Sequence, residues 1–257
     1  WKKLGLTQKE IEEFDVGPAY QPWHRMGNIN KHNGPLNPGW HKDQLALQHK
    51  ILARMRELGM DPIVPGFAGF VPKGVSRVHP EVTLLEMNWG GFQADCNAFL
   101  LAPGGELFTE IGKMHVHEWE KEFGKCTYYL ADSFNEMRVP ETGRAMPELL
   151  ADYGESIYKS VVAGNPDAVW VVQGWMLFDR KTWTAENFKG LVSRVPDDKM
   201  IILDEACDYN IFYKHPFLWD TLCGFFNKQW IYGDIPNMGG KTAYTGLLHQ
   251  YARGSSD

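Results

Sequence analysis

Cysteine is scarce: four residues in 257, Cys96, Cys126, Cys207 and Cys223, and no two of them form a CxxC pair. That spacing argues against a zinc ribbon or a redox dithiol and leaves the redox compartment open. Long apolar runs are missing too. No stretch of 18 apolar residues occurs, so no transmembrane helix is expected. Positive charge is outweighed, with 26 Lys and Arg against 32 Asp and Glu and a formal charge of −6. With no Lys/Arg stripe either, nucleic acid is not an expected partner. No Gly-rich phosphate loop follows an apolar run, and there is no GxSxG elbow, which weakens nucleotide-binding and serine-hydrolase readings. Internal repeats and low-complexity tracts are absent. No signal peptide is visible, and a chain that opens at Trp1 in helical text is expected to be an internal piece of a longer protein.

What the chain does have is apolar and aromatic mass. Hydrophobic residues make up 44% and aromatics 13%, enough for a large core and too much for disorder. Ten tryptophans are present. Some must be core, but carbohydrate clefts also use indole faces, on which pyranose C–H groups stack.

Periodicity predicts a short helix at Leu6–Phe14, with Thr7 as N-cap and Glu10 closing a capping box. A loop rich in Gly, Pro, Asn and His follows over Asp15–Pro38, and loops of that length are usually functional. Helices are expected at Trp40–Leu58, Leu107–Phe123, Pro147–Val162, Thr184–Val195 and Lys241–Arg253. Strands are expected at Asp61–Phe67, Cys126–Phe134, Ala168–Val172, Lys199–Leu203 and Phe226–Tyr232, with a further candidate near Val16–Tyr20. Val82–Pro103 reads as irregular. Alternation at these intervals suits βα units and a parallel sheet, so the fold class is α/β. A closed barrel needs eight strands. The chain is therefore either an open doubly wound sheet or a (β/α)8 TIM-type barrel that is incomplete, its first strands missing.

Three strands end in unusually polar or aromatic text. One delivers Asn135-Glu136 within CTYYLADSFNEMRVP, a second delivers Gln173-Gly174-Trp175, and a third delivers Asp204-Glu205, with Asp208 just beyond. In a barrel those ends open on one face, where a carboxylate reads as chemistry before it reads as stability. Acids from two strands can face each other across a cleft, as retaining glycosidases require, with carboxyl groups about 5–5.5 Å apart. The plainer reading is that strand-end Asp and Glu cap helices or pair with cations. Trp23 and Trp89 lie in Gly-rich loops, where a core role is less natural, and these two are candidate sugar platforms. The pair His115-x-His117 falls in helical text, where i and i+2 point apart, so no metal site is expected.

The strings GPAYQPWHRMGN, NGPLNPGWHKDQLALQHKIL, RMRELGMDPIVPGFAGFVP, FLLAP, ADSFNEM, AVWVVQGW and PNMGG occur in order and span most of the chain. Together they resemble the α-N-acetylglucosaminidases of glycoside hydrolase family 89. The resemblance implies a retaining exo-hydrolase that needs no cofactor and releases terminal α-linked N-acetylglucosamine from a glycosaminoglycan or mucin-type oligosaccharide. It also implies a secreted, periplasmic or lysosomal setting. Residues 1–240 would form part of the catalytic barrel and 241–257 the start of a C-terminal helical domain. The family's acid/base glutamate falls on Glu136, with Asn135 before it, and its site tryptophans fall on Trp23, Trp89 and Trp175.

The nucleophile is where the chain departs from the family pattern, Leu-Asp-x-x-x-Glu. The text here is Leu203-Asp204-Glu205-Ala206-Cys207-Asp208, which puts Asp208 at the nucleophile position with a side chain one methylene short. Glu205 has the longer side chain but stands three residues early. Asp208 is preferred, with Glu205 kept open. Rival readings are a retaining hydrolase for another α-linked sugar and a glycan-binding barrel without turnover.

Overall fold

The computed structural model describes residues 1–18, 27–205, 207 and 215–233. The expected helix at Lys241–Arg253, and with it the 241–257 boundary, lies outside the described residues, as do Trp23 and Asp208. Helix α1 spans Gln8–Glu12, and the expected capping box is present: Thr7 Oγ1 accepts from the Glu10 N–H while the Glu10 carboxylate accepts from the Thr7 N–H. Helix α2 spans Pro38–Glu57, capped by Asn37. Strand β1 (Ile63–Pro65) and helix α3 (Val75–Val78) follow. Next come β2 (Leu84–Met87), β3 (Ala98–Leu101) and α4 (Glu106–Phe123). The remainder is β4 (Tyr128–Leu130), α5 (Met146–Gly164), β5 (Val169–Gln173), α6 (Ala185–Val192), β6 (Met200–Asp204), α7 (Leu218–Thr221) and β7 (Gln229–Tyr232).

Five strands form one sheet in the order β1-β4-β5-β6-β7, and every neighbouring pair is parallel. These are the five strands that the periodicity predicts, and their sequential order makes the sheet an arc of a β/α barrel rather than a doubly wound sheet, whose strand order would reverse. The candidate strand near Val16–Tyr20 is not formed over its described residues, 16–18. A second correction concerns Val82–Pro103: β2 and β3 pair antiparallel within it, and Phe70 bridges to Leu100. Ten residues rich in Asn and Gly join the two strands, so no tight-turn signal marks the pair.

The inner strands of the arc are largely buried on both faces, which explains why they read as continuous apolar runs. Trp170, Val172, Met200 and Ile202 belong to the main core, together with Phe134 from beyond β4 and Leu150, Tyr153 and Ile157 from α5. A second cluster joins Val64, Tyr129 and Ala168 to Val116 of α4 and Val161 of α5. At the amino ends of the strands, Glu120 of α4 accepts hydrogen bonds from Tyr129 Oη at 2.8 Å and from Asn165 Nδ2 at 2.7 Å. Asn165 Nδ2 also donates to the Cys126 carbonyl at 2.9 Å. The outer strands differ from the inner ones. Ile63 of β1 and Ile231 of β7 are 43% and 52% exposed. Helix α2, flanking β1, leaves Leu45, Leu47 and Ile51 exposed and buries only Leu52.

Candidate active site

The polar residues of the site collect where the strands stop. Ladder pairing around β4 ends at Ala131, whose N–H donates to the Val171 carbonyl. The next residues turn to side-chain contacts. Ser133 Oγ donates to the Ala68 carbonyl at 2.7 Å, and Asp132 Oδ1 accepts from the Gln173 N–H at 2.9 Å. These contacts end the strand earlier than the expected Phe134, because the side chains take over from the backbone ladder.

Asn135 is buried and Glu136 is exposed. Glu136 has φ 57°, the left-handed region that non-glycine residues rarely occupy. Such backbone costs about 1–3 kcal/mol and persists where its surroundings enforce it. The enforcement is visible on both sides. Asn28 Nδ2 donates to the Asn135 carbonyl at 2.8 Å, and Asn135 Nδ2 donates to Gln173 Oε1. On the side-chain end, Trp175 Nε1 donates to Glu136 Oε1 at 2.8 Å and Trp89 Nε1 to Oε2 at 3.2 Å. Trp175 is carried by a short 3-10 helix, Gly174–Phe178, directly after β5. Gly174 has to be glycine there, since a Cβ would lie 2.3 Å from the Leu203 carbonyl oxygen of β6.

Glu205, just past β6, is half-buried. Burial raises its pKa, and a hydrogen bond from the Gln173 side chain pulls it back. Gln173 thus serves Asn135, Asp132 and Glu205 together. Two further carboxyls lie beside them, both fully sequestered. Asp132 is pushed up to about 7 by desolvation and by the charge of Glu205, against the Gln173 N–H. Asp204 is also pushed up to about 7, by desolvation first, with the Cys207 thiol and Arg180 acting against it and Glu205 adding to it. Neither carboxylate oxygen of Asp204 has a hydrogen-bond partner within range among the described residues.

Of the residues singled out from the sequence, Asn135, Glu136, Trp89, Trp175 and Glu205 are linked by this network. Asn28 and Asp132 join it without having been expected: Asp132 is legible as the first polar residue after an apolar run, whereas Asn28 carries no signal of its own. His115 Nε2 meets the Pro65 carbonyl at 2.9 Å and His117 is exposed. Among the described residues no group of three or more His, Cys, Asp or Glu is placed to hold a metal, and no helix is long and apolar enough to cross a membrane. A cavity of about 610 Å³ opens elsewhere, beside β1, lined by Leu45 and Gln48 of α2, by Pro65, and by Ile111 and Met114 of α4. None of the networked carboxylates lines it, so chemistry is assigned to the strand ends and not to this cavity.

An arc of parallel strands with helices outside and clustered carboxyls at its carboxyl edge defines a TIM-barrel-type domain with its polar site on the usual active face. The chain belongs to the alpha-N-acetylglucosaminidase TIM-barrel domain family, whose model matches residues 1–257. It is 38% identical to human alpha-N-acetylglucosaminidase, over 92% of this chain and 33% of that protein. The chain therefore spans about a third of the length of this relative. Among solved structures it is similar to a family 89 glycoside hydrolase from Clostridium perfringens. The form in complex with 2-acetamido-1,2-dideoxynojirmycin superposes with a TM-score of 0.74 at 25% identity, over 93% of this chain and 25% of that one. A variant of a Clostridium perfringens protein with two glutamates changed to glutamine, in complex with its substrate GlcNAc-α-1,4-galactose, gives a TM-score of 0.75 at 24% identity, over the same shares.

Proposed function

We propose that the protein is a retaining exo-glycoside hydrolase that releases terminal α-linked N-acetylglucosamine from glycans of the heparan sulfate or mucin type. The observation that carries the reading is Glu136: a carboxylate past the end of β4, in left-handed backbone, with an indole N–H on each oxygen. Glu136 begins protonated and gives its proton to the glycosidic oxygen while a carboxylate beyond β6 attacks C1. Water then hydrolyses the glycosyl-enzyme with Glu136 as base. Glu205 and Asp208 are the nucleophile candidates. The Gln173 hydrogen bond favours the ionised form of Glu205 against its burial. Asp208 rests on the family pattern. Trp23, Trp89 and Trp175 are assigned to the sugar, Asn135 to a hydroxyl beside the scissile bond. Residues 1–240 would be the barrel part and 241–257 the start of a helical domain, in a protein of secreted, periplasmic or lysosomal setting.

The drifted text after Leu203 favours one alternative, a retaining hydrolase for another α-linked sugar, and a panel of aryl α-glycosides separates the two. For the main reading, Glu136→Gln should cut turnover of a substrate with a poor leaving group by about 10²–10⁴-fold with the fold intact. Undiminished hydrolysis by that variant overturns it. Azide replaces a missing carboxylate nucleophile, so whichever of Asp208→Gly and Glu205→Gly yields a glycosyl azide names the nucleophile.

A further inference from the structure

We infer that Trp89 and Trp175 are positioning residues that aim the Glu136 carboxyl group through their indole N–H edges, a role separate from any stacking of their ring faces on sugar. The inference rests on the reading of Glu136 as proton donor. An indole N–H only donates, so neither tryptophan can carry the proton itself. What the pair fixes is the plane of the carboxyl group, with one donor on each oxygen at 2.8 and 3.2 Å. That constraint is needed because Glu136 is exposed and lies outside any helix or strand, so neither packing nor a backbone ladder holds its side chain. Both indoles are themselves braced. Trp89 stacks on Phe92 with centroids 5.7 Å apart at 12°, and Trp175 meets Phe178 at 5.6 Å and 48°. They come from different parts of the fold, one from the β2–β3 connection and one from the turn after β5, so the clamp has two independent arms.

The arrangement also works in the direction of the reaction. In the first step the Glu136 O–H bond breaks and the proton goes to the glycosidic oxygen, while the carboxylate oxygen of the nucleophile bonds to C1 and the C1–O bond breaks with its electron pair passing to the glycosidic oxygen. Glu136 is left as a carboxylate. Hydrogen bonds from N–H to a charged oxygen are stronger than those to a neutral carboxyl. Both indole bonds therefore tighten as the proton leaves, which is stabilisation that grows toward the transition state.

The test uses the full-length protein, Trp175→Phe and Trp89→Phe, and two substrates, one with a sugar leaving group and one with an activated aryl leaving group that needs no proton. Phenylalanine keeps an aromatic face and deletes the N–H. Trp175→Phe should lower kcat on the sugar leaving group by about tenfold or more, with KM changed less than about twofold, and the aryl substrate should lose much less. Trp89→Phe should show the same pattern more weakly. A rise in KM at unchanged kcat, or equal losses on both substrates, overturns the clamp. Glu136→Gln is run beside them. If it is inactive on the sugar leaving group while both Phe variants match wild type, the clamp alone fails. If it retains full turnover there, the proton-donor reading fails and the clamp with it.

Discussion

The side-chain amide of Asn135 donates a hydrogen bond to the amide oxygen of Gln173, so the residue preceding Glu136 is anchored to the neighbouring strand. The other half of the Gln173 amide serves Glu205, beyond the strand after that. One carboxamide at the tip of β5 therefore stands between the two sides of the proposed reaction.

Gln173→Leu should expose that dependence. Leucine leaves the buried Asn135 amide without its acceptor, which costs about 1–3 kcal/mol, read as a lower denaturation midpoint. It also removes the donor that holds the Glu205 carboxyl down, so that pKa rises further. If Glu205 is the nucleophile it must be ionised, and the acidic limb of the kcat/KM profile moves to higher pH. An acidic limb that stays in place excludes Glu205 as the essential base and leaves Asp208.

Stability should carry a pH signature of the buried carboxyls. Asp132 and Asp204 have folded-state values pushed up from 3.8 to about 7. In that window the folded state binds more protons than the unfolded chain, so the contribution is fully present below about pH 4 and is lost as pH rises to about 7. Asp132→Asn keeps an acceptor for the Gln173 N–H and removes the ionisation. Relative to wild type it should gain a few kcal/mol between pH 5 and 8 and gain nothing at about pH 4, in urea titrations at each pH. A wild-type minus variant difference that does not change with pH sinks this account.

Gly174→Ala tests how closely β5 and β6 must approach at the mouth. The added Cβ would stand 2.3 Å from the Leu203 carbonyl oxygen, so the turn carrying Trp175 has to move outward. The expected result is a destabilisation of about 1–3 kcal/mol by overpacking. Activity should fall by more than stability explains, because displacement on the order of 1 Å in a positioned group can cost 10²-fold. Kinetics measured well below the melting temperature separate the two effects.

The five parallel strands were legible because each is an apolar run between turn residues, and helices at the expected spacing set the barrel-like order. Their ends were less so. The expected Cys126–Phe134 strand narrows to Tyr128–Leu130, since Asp132 and Ser133 form contacts with residues 41 and 65 positions away that no local pattern encodes. The β2–β3 pair escaped for the same kind of reason: no tight turn marks it, and β3 is also bridged through its backbone to Phe70, 30 residues earlier. Glu136 and Asn135 stood out from residue type and place. The left-handed backbone of Glu136, and the edge each indole turns toward it, depend on tertiary contacts and leave no mark in the sequence.

The Glu120 bracket at the opposite rim has an evolutionary consequence. Tyr129, Asn165 and the Cys126 carbonyl are tied there at 2.7–2.9 Å, on the far side of the sheet from Glu136. Rigidity is thus lodged in the floor while the proposed chemistry sits at the opposite end of the strands, and the two can mutate on separate schedules. On the proposed function, a lineage could rewrite the residues following Leu203, and with them the sugar it prefers, while the floor goes on specifying the same scaffold.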